Sequence, residues 1–250
     1  MTTLRRPARP EGLFVWVMHC FASRFDQHAI LKGGMALRLL DSPRSTTDID
    51  YVFVPYTSKR EIAGEVEAAL GELEDAHVEI ALHSKMMRAT VQVDDARIQI
   101  EINVATRCAA VPMATGSFAR SQGQPSQIVA VMQFDTALSE KLAAWNERRL
   151  LRDVYDCYFL AHRLGARIHF ETLDHRLSKV ESRLPALRTR KRMTRIDLAR
   201  ELGSFVDGLT AESVESELAP VLPPEEVAGL VPRIRATVSR LVEELAPAGF

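Results

Sequence analysis

The stretch that decides the fold runs from Ile30 to Val54 and reads ILKGGMALRLLDSPRSTTDIDYVFV. A short apolar run leads into Gly33-Gly34, and two turns of helical spacing follow, ending in the proline-containing residues 41–43. A second run, rich in β-branched and aromatic residues, then carries Asp48 and Asp50 at its start. The pattern predicts a strand, a glycine turn, a short helix and a second strand in one compact unit.

Asp48 and Asp50 are two positions apart on a predicted strand, so their side chains emerge on the same face. Paired carboxylates bind hard cations such as Mg²⁺, and a two-metal site suits nucleotidyl transfer. Glu101 is the candidate third ligand, because it lies on the polar face of the alternating strand 97–104. The alternative for Asp48 and Asp50 is a pair at the start of the strand that caps a turn. The alternative for Glu101 is an ordinary solvated glutamate.

Gly33 and Gly34 lie between a strand and a helix, where backbone N–H groups can hold triphosphate oxygens at close approach. Arg44, in the loop before the aspartates, is placed to meet phosphate or substrate, although a role in solvent is the alternative. Phosphorylation within residues 45–47 would place negative charge in this pocket and silence an enzyme. Such phosphorylation could be a form of control by a partner protein encoded beside this one. The intact mass of the protein after co-expression with that neighbouring gene tests the hypothesis, and an unmodified but inactive protein would count against it.

The rest of the chain predicts an α+β protein, with a mixed-sheet domain at residues 1–133 and a C-terminal helical bundle at residues 134–250. Beyond the opening stretch, the first domain is predicted to have a loose tail, helices at 13–25 and 59–74, strands at 78–82, 89–93 and 97–104, a surface loop at 105–127 and an edge strand at 128–131. In the second domain, helical periodicity covers 137–149, 152–164, 171–184, 196–202, 211–218 and 231–245.

Composition limits the cellular setting but not the partners. The chain has 32 Lys+Arg against 33 Asp+Glu, so affinity for nucleic acid has to come from local basic patches. The three cysteines are far apart and lack metal-binding spacing, which fits a reducing compartment without a disulfide or zinc. The apolar N-terminal segment is too short and too interrupted to span a bilayer, so we expect a cytoplasmic protein without a membrane partner.

Two blocks of sequence resemble a known family. GG-M-A-L-R followed by R-S-T-T-D-I-D resembles the glycine-pair and D-x-D motif of the polymerase-β-like nucleotidyltransferase superfamily. EKLAAWNER, beginning at Glu140, and RDVYD, beginning at Arg152, resemble the K-x-x-A-x-x-x-R and D-x-x-D motifs of the AbiEii/AbiGii toxins. This is the type IV toxin family that includes the mycobacterial MenT toxins.

The resemblance implies a metal-dependent nucleotidyltransferase, with Mg²⁺ or Mn²⁺ as cofactor, an NTP as substrate and a cognate antitoxin as partner. Lys141 and Arg148 would contact the triphosphate, and their helical spacing independently places them on one face. Asp153, the first member of the D-x-x-D pair, would be needed for activity, and Asp156 would complete the pair. The alternative is ordinary helix-surface pairing, for example of Arg152 with Asp156. The helical domain is expected to complete the nucleotide cleft.

The acceptor implied by the resemblance is the 3′ end of tRNA, whose modification would stop translation. Residues 187–195 contain five basic residues in nine and could bind RNA phosphates, although a solvated face is an equal alternative. Two other functions stay open at this point. One is a nucleotidyltransferase that modifies a small molecule such as an antibiotic, and the other is a nucleotide- or RNA-binding module without catalysis.

Overall fold

The computed structural model describes residues 7, 9–182, 184–187, 189 and 191–246. The chain divides after Gln133 into two compact units. The first holds all seven strands of the described residues, and the second is helical. No helix within the described residues is both long and apolar enough to cross a membrane.

The first unit contains a mixed seven-stranded sheet. Its strands are β1 (Ala29–Lys32), β2 (Asp48–Phe53), β3 (His77–Leu82), β4 (Met87–Val93), β5 (Ala96–Val104), β6 (Ala110–Ala114) and β7 (Ile128–Met132). Their order is β3-β4-β5-β2-β1-β7-β6, with β2–β5 and β1–β7 parallel and the other neighbours antiparallel. The predicted mixed sheet is therefore confirmed, and β2 lies at its centre.

Among the described residues, four α-helices accompany this sheet: α1 (Pro10–Phe25), α2 (Gly33–Leu39), α3 (Arg60–Leu70) and α4 (Gly116–Ser121). The apolar side chains of α1 and α3 share one core with the inward side chains of β2, β4 and β5. Phe21 on α1 lies at the centre of an aromatic cluster, with ring centroids 5.0 Å from Tyr51 and 5.6 Å from Phe53. This packing fixes one face of β2 and leaves the opposite face for Asp48 and Asp50.

Two predictions for the end of this unit are wrong. Residues 105–127 are not a loop, because they contain β6 and α4. β6 is short and contains Pro112, which is tolerated because β6 is an outer strand of the sheet. Since β6 pairs with β7, the predicted edge strand at 128–131 is an inner strand.

Two helix boundaries in the first unit also differ from expectation. The tail predicted for residues 1–12 already contains the start of α1, where Pro10 occupies the first helical turn, a position at which a missing N–H costs little. Residues 1–6 and 8 of that tail lie outside the described residues. α3 ends at Leu70 rather than at residue 74, and Asp75, with φ of 59°, belongs to the turn that follows.

The second unit confirms the predicted run of C-terminal helices. They are α5 (Phe134–Arg148), α6 (Leu151–Tyr158), α7 (Phe170–Leu177), α8 (Arg195–Asp207), α9 (Ala211–Leu218), α10 (Pro224–Val227) and α11 (Leu230–Leu245). A π-helical turn, Phe159–Arg163, continues α6. The helix predicted for 171–184 ends at Leu177, and a 3₁₀ turn follows at Pro185–Leu187.

Candidate active site

Asp48 and Asp50 lie on the same face of β2, opposite the face that packs in the aromatic core. The antiparallel pairing of β1 and β2 places Asp50 opposite Lys32, immediately before the glycine pair. Gly33 has a φ of +71°, and a Cβ atom there would lie 2.1 Å from Asp50 Oδ2. Only glycine fits at this position, because a side chain would be both strained and in collision with the carboxylate.

Both carboxylates are half-buried, and neither has a hydrogen-bond or ion-pair partner among the described residues. The backbone of Asp50 is paired with both β1 and β5, and that of Asp48 is paired with β5, so both side chains are held at the start of the strand. Two adjacent acidic groups without a cationic partner repel each other, and a bound divalent cation removes that repulsion. The aspartate pair therefore fits hard cations through its oxygen donors.

Glu101 lies next to this pair but is held by other residues. The parallel pairing of β2 and β5 places it directly opposite Asp50. Its Oε1 accepts hydrogen bonds from Arg88 Nη2 and Gln99 Nε2, both at 3.2 Å. Over the described residues, no three His, Cys, Asp or Glu side chains are already gathered into a metal site. Glu101 is thus a neighbour of the two aspartates, but its own carboxylate is bound by Arg88. The sequence did not indicate this contact.

Arg44 is buried against the second glycine of the pair. Its side chain lies over Gly34, where a Cβ atom would be 2.7 Å from Arg44 Nη2 and 2.9 Å from Thr46 Oγ1. Arg44 is only 8% exposed, and its Nη1 donates to the carbonyl oxygen of Ser45 at 3.2 Å. The glycine pair therefore makes room for a carboxylate at Gly33 and for a guanidinium at Gly34. The short α2 begins between these two groups.

A second cluster of predicted residues comes together in the helical unit. Lys141 and Arg148 extend from α5 toward the D-x-x-D pair on α6. Lys141 Nζ lies 2.6 Å from Asp156 Oδ2 and 3.8 Å from Asp153 Oδ1. Arg148 binds Asp153 with two hydrogen bonds, from Nε at 3.1 Å and from Nη2 at 2.6 Å. Four residues predicted from the family motifs therefore form one ion-pair network.

The two aspartates of this network are buried inside the helical unit. Asp153 is 1% exposed and Asp156 is 0% exposed, so neither carboxylate lies on a solvent-exposed helix face. Asp156 pairs with Lys141 rather than with Arg152. Buried carboxylates need cationic partners of this kind to remain charged. Burial, and then the charges of Asp153 and Asp156, raise the pKa of the neighbouring Cys157 thiol. The thiol is therefore a neutral packing group.

Arg176 on α7 is a further member of this region that the motifs did not indicate. It forms ion pairs with Glu140 and Glu147, which lie seven residues apart on α5 and each immediately precede a cation of the network. Burial by itself lowers the pKa of the Arg176 guanidinium, but the charges of the two glutamates outweigh it and raise that pKa. The seven-residue spacing of Glu140 and Glu147 could have indicated a shared cationic partner, because it places both glutamates on one side of α5.

Comparison with protein families decides the class. A family model described as "Nucleotidyl transferase AbiEii toxin, Type IV TA system" matches residues 17–227. The chain belongs to this family. The AbiEii match covers both clusters and includes the glycine pair, the D-x-D strand and the helices α5 and α6. The protein is accordingly a nucleotidyltransferase of a type IV toxin–antitoxin family, and that family implies an NTP substrate and a cognate antitoxin.

Solved structures share the fold. MenT4, a nucleotidyltransferase toxin from Mycobacterium tuberculosis, matches with a TM-score of 0.57 at 16% identity, over 95% of this chain and 84% of that one. JHP933 from Helicobacter pylori matches with a TM-score of 0.52 at 16% identity, over 94% and 91%. A putative nucleotidyltransferase from H. pylori matches with a TM-score of 0.50 at 16% identity, over 96% of both chains. No curated protein matches this AbiEii-family sequence significantly.

Replacement of Gly33 tests the contact with Asp50. We expect Gly33→Ala to abolish nucleotidyl transfer and to lower the free energy of unfolding by about 1–3 kcal/mol, because the new Cβ collides with the carboxylate in a left-handed backbone. Gly64→Ala is the matched control, since a Cβ there meets nothing within 4 Å, and we expect it to keep full activity. Urea unfolding and transfer of labelled nucleotide measure both effects. An active Gly33→Ala enzyme would contradict this geometry.

Replacing one or both members of the Lys141–Asp156 pair tests how much this buried ion pair contributes to the free energy of unfolding. Asp156→Leu leaves Lys141 without its closest partner, and we expect it to lower the free energy of unfolding by about 3–5 kcal/mol. Adding Lys141→Met should recover at least half of that loss, because an apolar pair replaces a largely buried ammonium group that has lost its closest carboxylate. Urea unfolding of the wild type, both single variants and the double variant completes the cycle. Strictly additive losses would mean that the two residues do not act as a pair.

Proposed function

We propose that this protein transfers a nucleoside monophosphate from an NTP to the 3′ end of tRNA, with Mg²⁺ or Mn²⁺ bound by Asp48, Asp50 and Glu101. The observation that carries the metal assignment is the aspartate pair on one face of β2, which has no partner among the described residues. Membership of the AbiEii family supplies the reaction class. The tRNA acceptor rests on the resemblance to MenT-like toxins.

The reaction joins the acceptor to the α-phosphate of the NTP. The oxygen of the 3′-hydroxyl forms a bond to the α-phosphorus and gives up its proton to solvent water, and the bond from that phosphorus to the bridging oxygen breaks, releasing pyrophosphate. A bound divalent cation would lower the pKa of the attacking hydroxyl and neutralise charge on the phosphates. Asp48 and Asp50 would hold this cation, and Glu101 would join them if its carboxylate turned away from Arg88.

Gly33, Gly34 and Arg44 form the phosphate-binding part of this proposal. The absence of side chains at the glycine pair lets phosphate oxygens approach the backbone beside Asp50. Arg44 is held over Gly34 and contributes guanidinium donors to the triphosphate. Because α2 has only seven residues, the arginine and the glycine backbone, rather than a long helix dipole, carry this part of the binding.

The helical unit contributes the second group of nucleotide-binding cations. Lys141 acts on phosphate oxygens as a point charge, and the fork of Arg148 has further donors beyond the two that bind Asp153. Asp153 and Asp156 act through these cations, because their ion pairs hold Lys141 and Arg148 in place. This explains why the family motif combines a lysine, an arginine and two aspartates.

The basic segment 187–195 gives only limited support to RNA binding. Arg188 and Arg190 lie outside the described residues. Lys191 and Arg192 are exposed and available to phosphates, whereas Arg195 forms an ion pair with Asp174 and lies over the ring of Phe170. Pairing with Arg195 lowers the pKa of the Asp174 carboxyl, so this contact persists across physiological pH.

Transfer of label from each NTP to total tRNA tests the proposed function. With Mg²⁺ present, we expect the wild type to label tRNA, and Asp48→Asn or chelation by EDTA to reduce the rate by at least about 100-fold, because the metal ligands are lost. Glu65→Gln is the control, since Glu65 is an exposed carboxylate on α3 that belongs to neither cluster.

A signal that survives Asp48→Asn would contradict the metal assignment. Metal-dependent consumption of NTP with small-molecule hydroxyls, but none with tRNA, would instead favour the antibiotic-modifying alternative. Binding of NTP without any transfer would favour a catalytically inactive module.

A further inference from the structure

We infer that the polar face of β5, β4 and β3 binds the single-stranded 3′ end of the acceptor RNA. This inference rests on the proposed function, because it assigns a direction of approach to the acceptor at the same metal site. The surface, called here the acceptor face, consists of the outward-pointing side chains of those three strands. It lies entirely within the first unit.

The sheet register makes the acceptor face continuous with the aspartate pair. One cross-strand row runs from Asp48 through Gln99 and Thr90 to Glu79. The next row runs from Asp50 through Glu101 and Arg88 to Ala81. A third row, beginning at β5, contains Arg97, Gln92 and His77. The alternate residues of β4 and β5 are buried in the apolar core, so the polar rows lie on the opposite side of these strands.

Reaction geometry places the acceptor on this side of the aspartates. β1, which leads to Gly33 and Gly34, is one neighbour of β2, and β5, which carries Glu101, is the other. The proposed triphosphate position is on the β1 side, next to the glycine pair and Arg44. In phosphoryl transfer the attacking and leaving oxygens are roughly in line, so the attacking hydroxyl has to come from the opposite side. That side is β5, and the chain behind the hydroxyl continues over β4 and β3.

The side chains of the acceptor face suit unpaired nucleotides. Gln92, Gln99 and Thr90 carry amide and hydroxyl groups that can bond to base edges and 2′-hydroxyls, the groups by which single-stranded RNA is recognised. A face with few cations is poorly suited to a duplex backbone, which is bound mainly through phosphates.

Arg97 provides the phosphate contact. Among the charged side chains that β3, β4 and β5 place on this face, it alone has no hydrogen-bond or ion-pair partner in the described part of the chain, and it is exposed. The others are paired, Arg88 with Glu101 and His77 with Glu79. Arg97 lies four residues before Glu101 on the same face of β5, about 13 Å from it at the usual rise per residue. It is therefore placed to bind a phosphate upstream of the reacting terminus.

Photocrosslinking tests the location without requiring turnover. The probe is a 12-nucleotide RNA that ends in CCA, with 4-thiouridine immediately before the CCA, incubated with the full-length Asp48→Asn protein and irradiated. We expect the main crosslinked peptide to lie within residues 88–99. Crosslinks that map to residues 187–195 or to α3, or no crosslink at protein concentrations up to 50 times those used in the transfer assay, would overturn the inference.

Charge reversal at Arg97 provides the second measurement. We expect Arg97→Glu to weaken binding of the same RNA about five- to tenfold, because an attraction to phosphate becomes a repulsion. Arg60→Glu is the matched control, since Arg60 is equally exposed but lies on α3, which packs on the other side of the sheet, and it should change binding less than twofold. Equal effects of the two variants would overturn the inference.

The two measurements separate this inference from the proposed function. Crosslinking at 88–99 by a protein that transfers no nucleotide to tRNA would leave the acceptor face in place and refute the reaction. Transfer to tRNA combined with crosslinking elsewhere would leave the reaction in place and refute the acceptor face.

Discussion

The close approach of Gly33 to Asp50 is the constraint on which the proposed site depends. A Cβ at this position would lie 2.1 Å from Asp50 Oδ2 in a backbone with φ of +71°, so any other residue would displace the carboxylate and strain the turn. The central strand can therefore present two carboxylates directly beside a backbone segment that is open to phosphates. The aromatic core around Phe21 packs against the other face of that strand, which keeps the side chains of the two aspartates on the face away from this core. Core packing and the glycine turn together hold two like charges next to each other, and a cation is the partner that this arrangement lacks.

The aspartates of the helical unit have a different electrostatic environment from those of the sheet. Asp153 and Asp156 are buried and paired with Lys141 and Arg148, whereas the aspartates of the sheet are half-buried and have no ion-pair partner among the described residues. Helix α5 supplies Lys141 and Arg148 on one side, while its glutamates are occupied by Arg176. Lys141 and Arg148 are balanced by Asp153 and Asp156, so an anionic substrate would share these two cations with the aspartates. One helix thus separates its acidic residues from its basic ones through the partners it packs against.

Much of this could be predicted from the sequence, and the exceptions have physical causes. Alternation in β2 and helical spacing in α5 predicted which side chains share a face, because both follow from backbone geometry. The inner position of β7 could not be predicted, since β6 is a short strand whose Pro112 argues against pairing. The contact between Arg88 and Glu101 depends on the register of two strands, which no local pattern reveals. Burial of Asp156 was equally hidden, because only the neighbouring Lys141 makes a buried carboxylate acceptable.

The central claim is that Asp48 and Asp50 bind the divalent metal of a nucleotidyltransferase. Anomalous X-ray scattering from crystals of the protein grown with Mn²⁺ and a non-hydrolysable NTP tests it most directly. We predict a manganese peak about 2.0–2.3 Å from a carboxylate oxygen of each aspartate, with the triphosphate beside Gly33 and Gly34. A bound nucleotide whose manganese is ligated by other residues, with Asp48 and Asp50 still unengaged, would contradict the account.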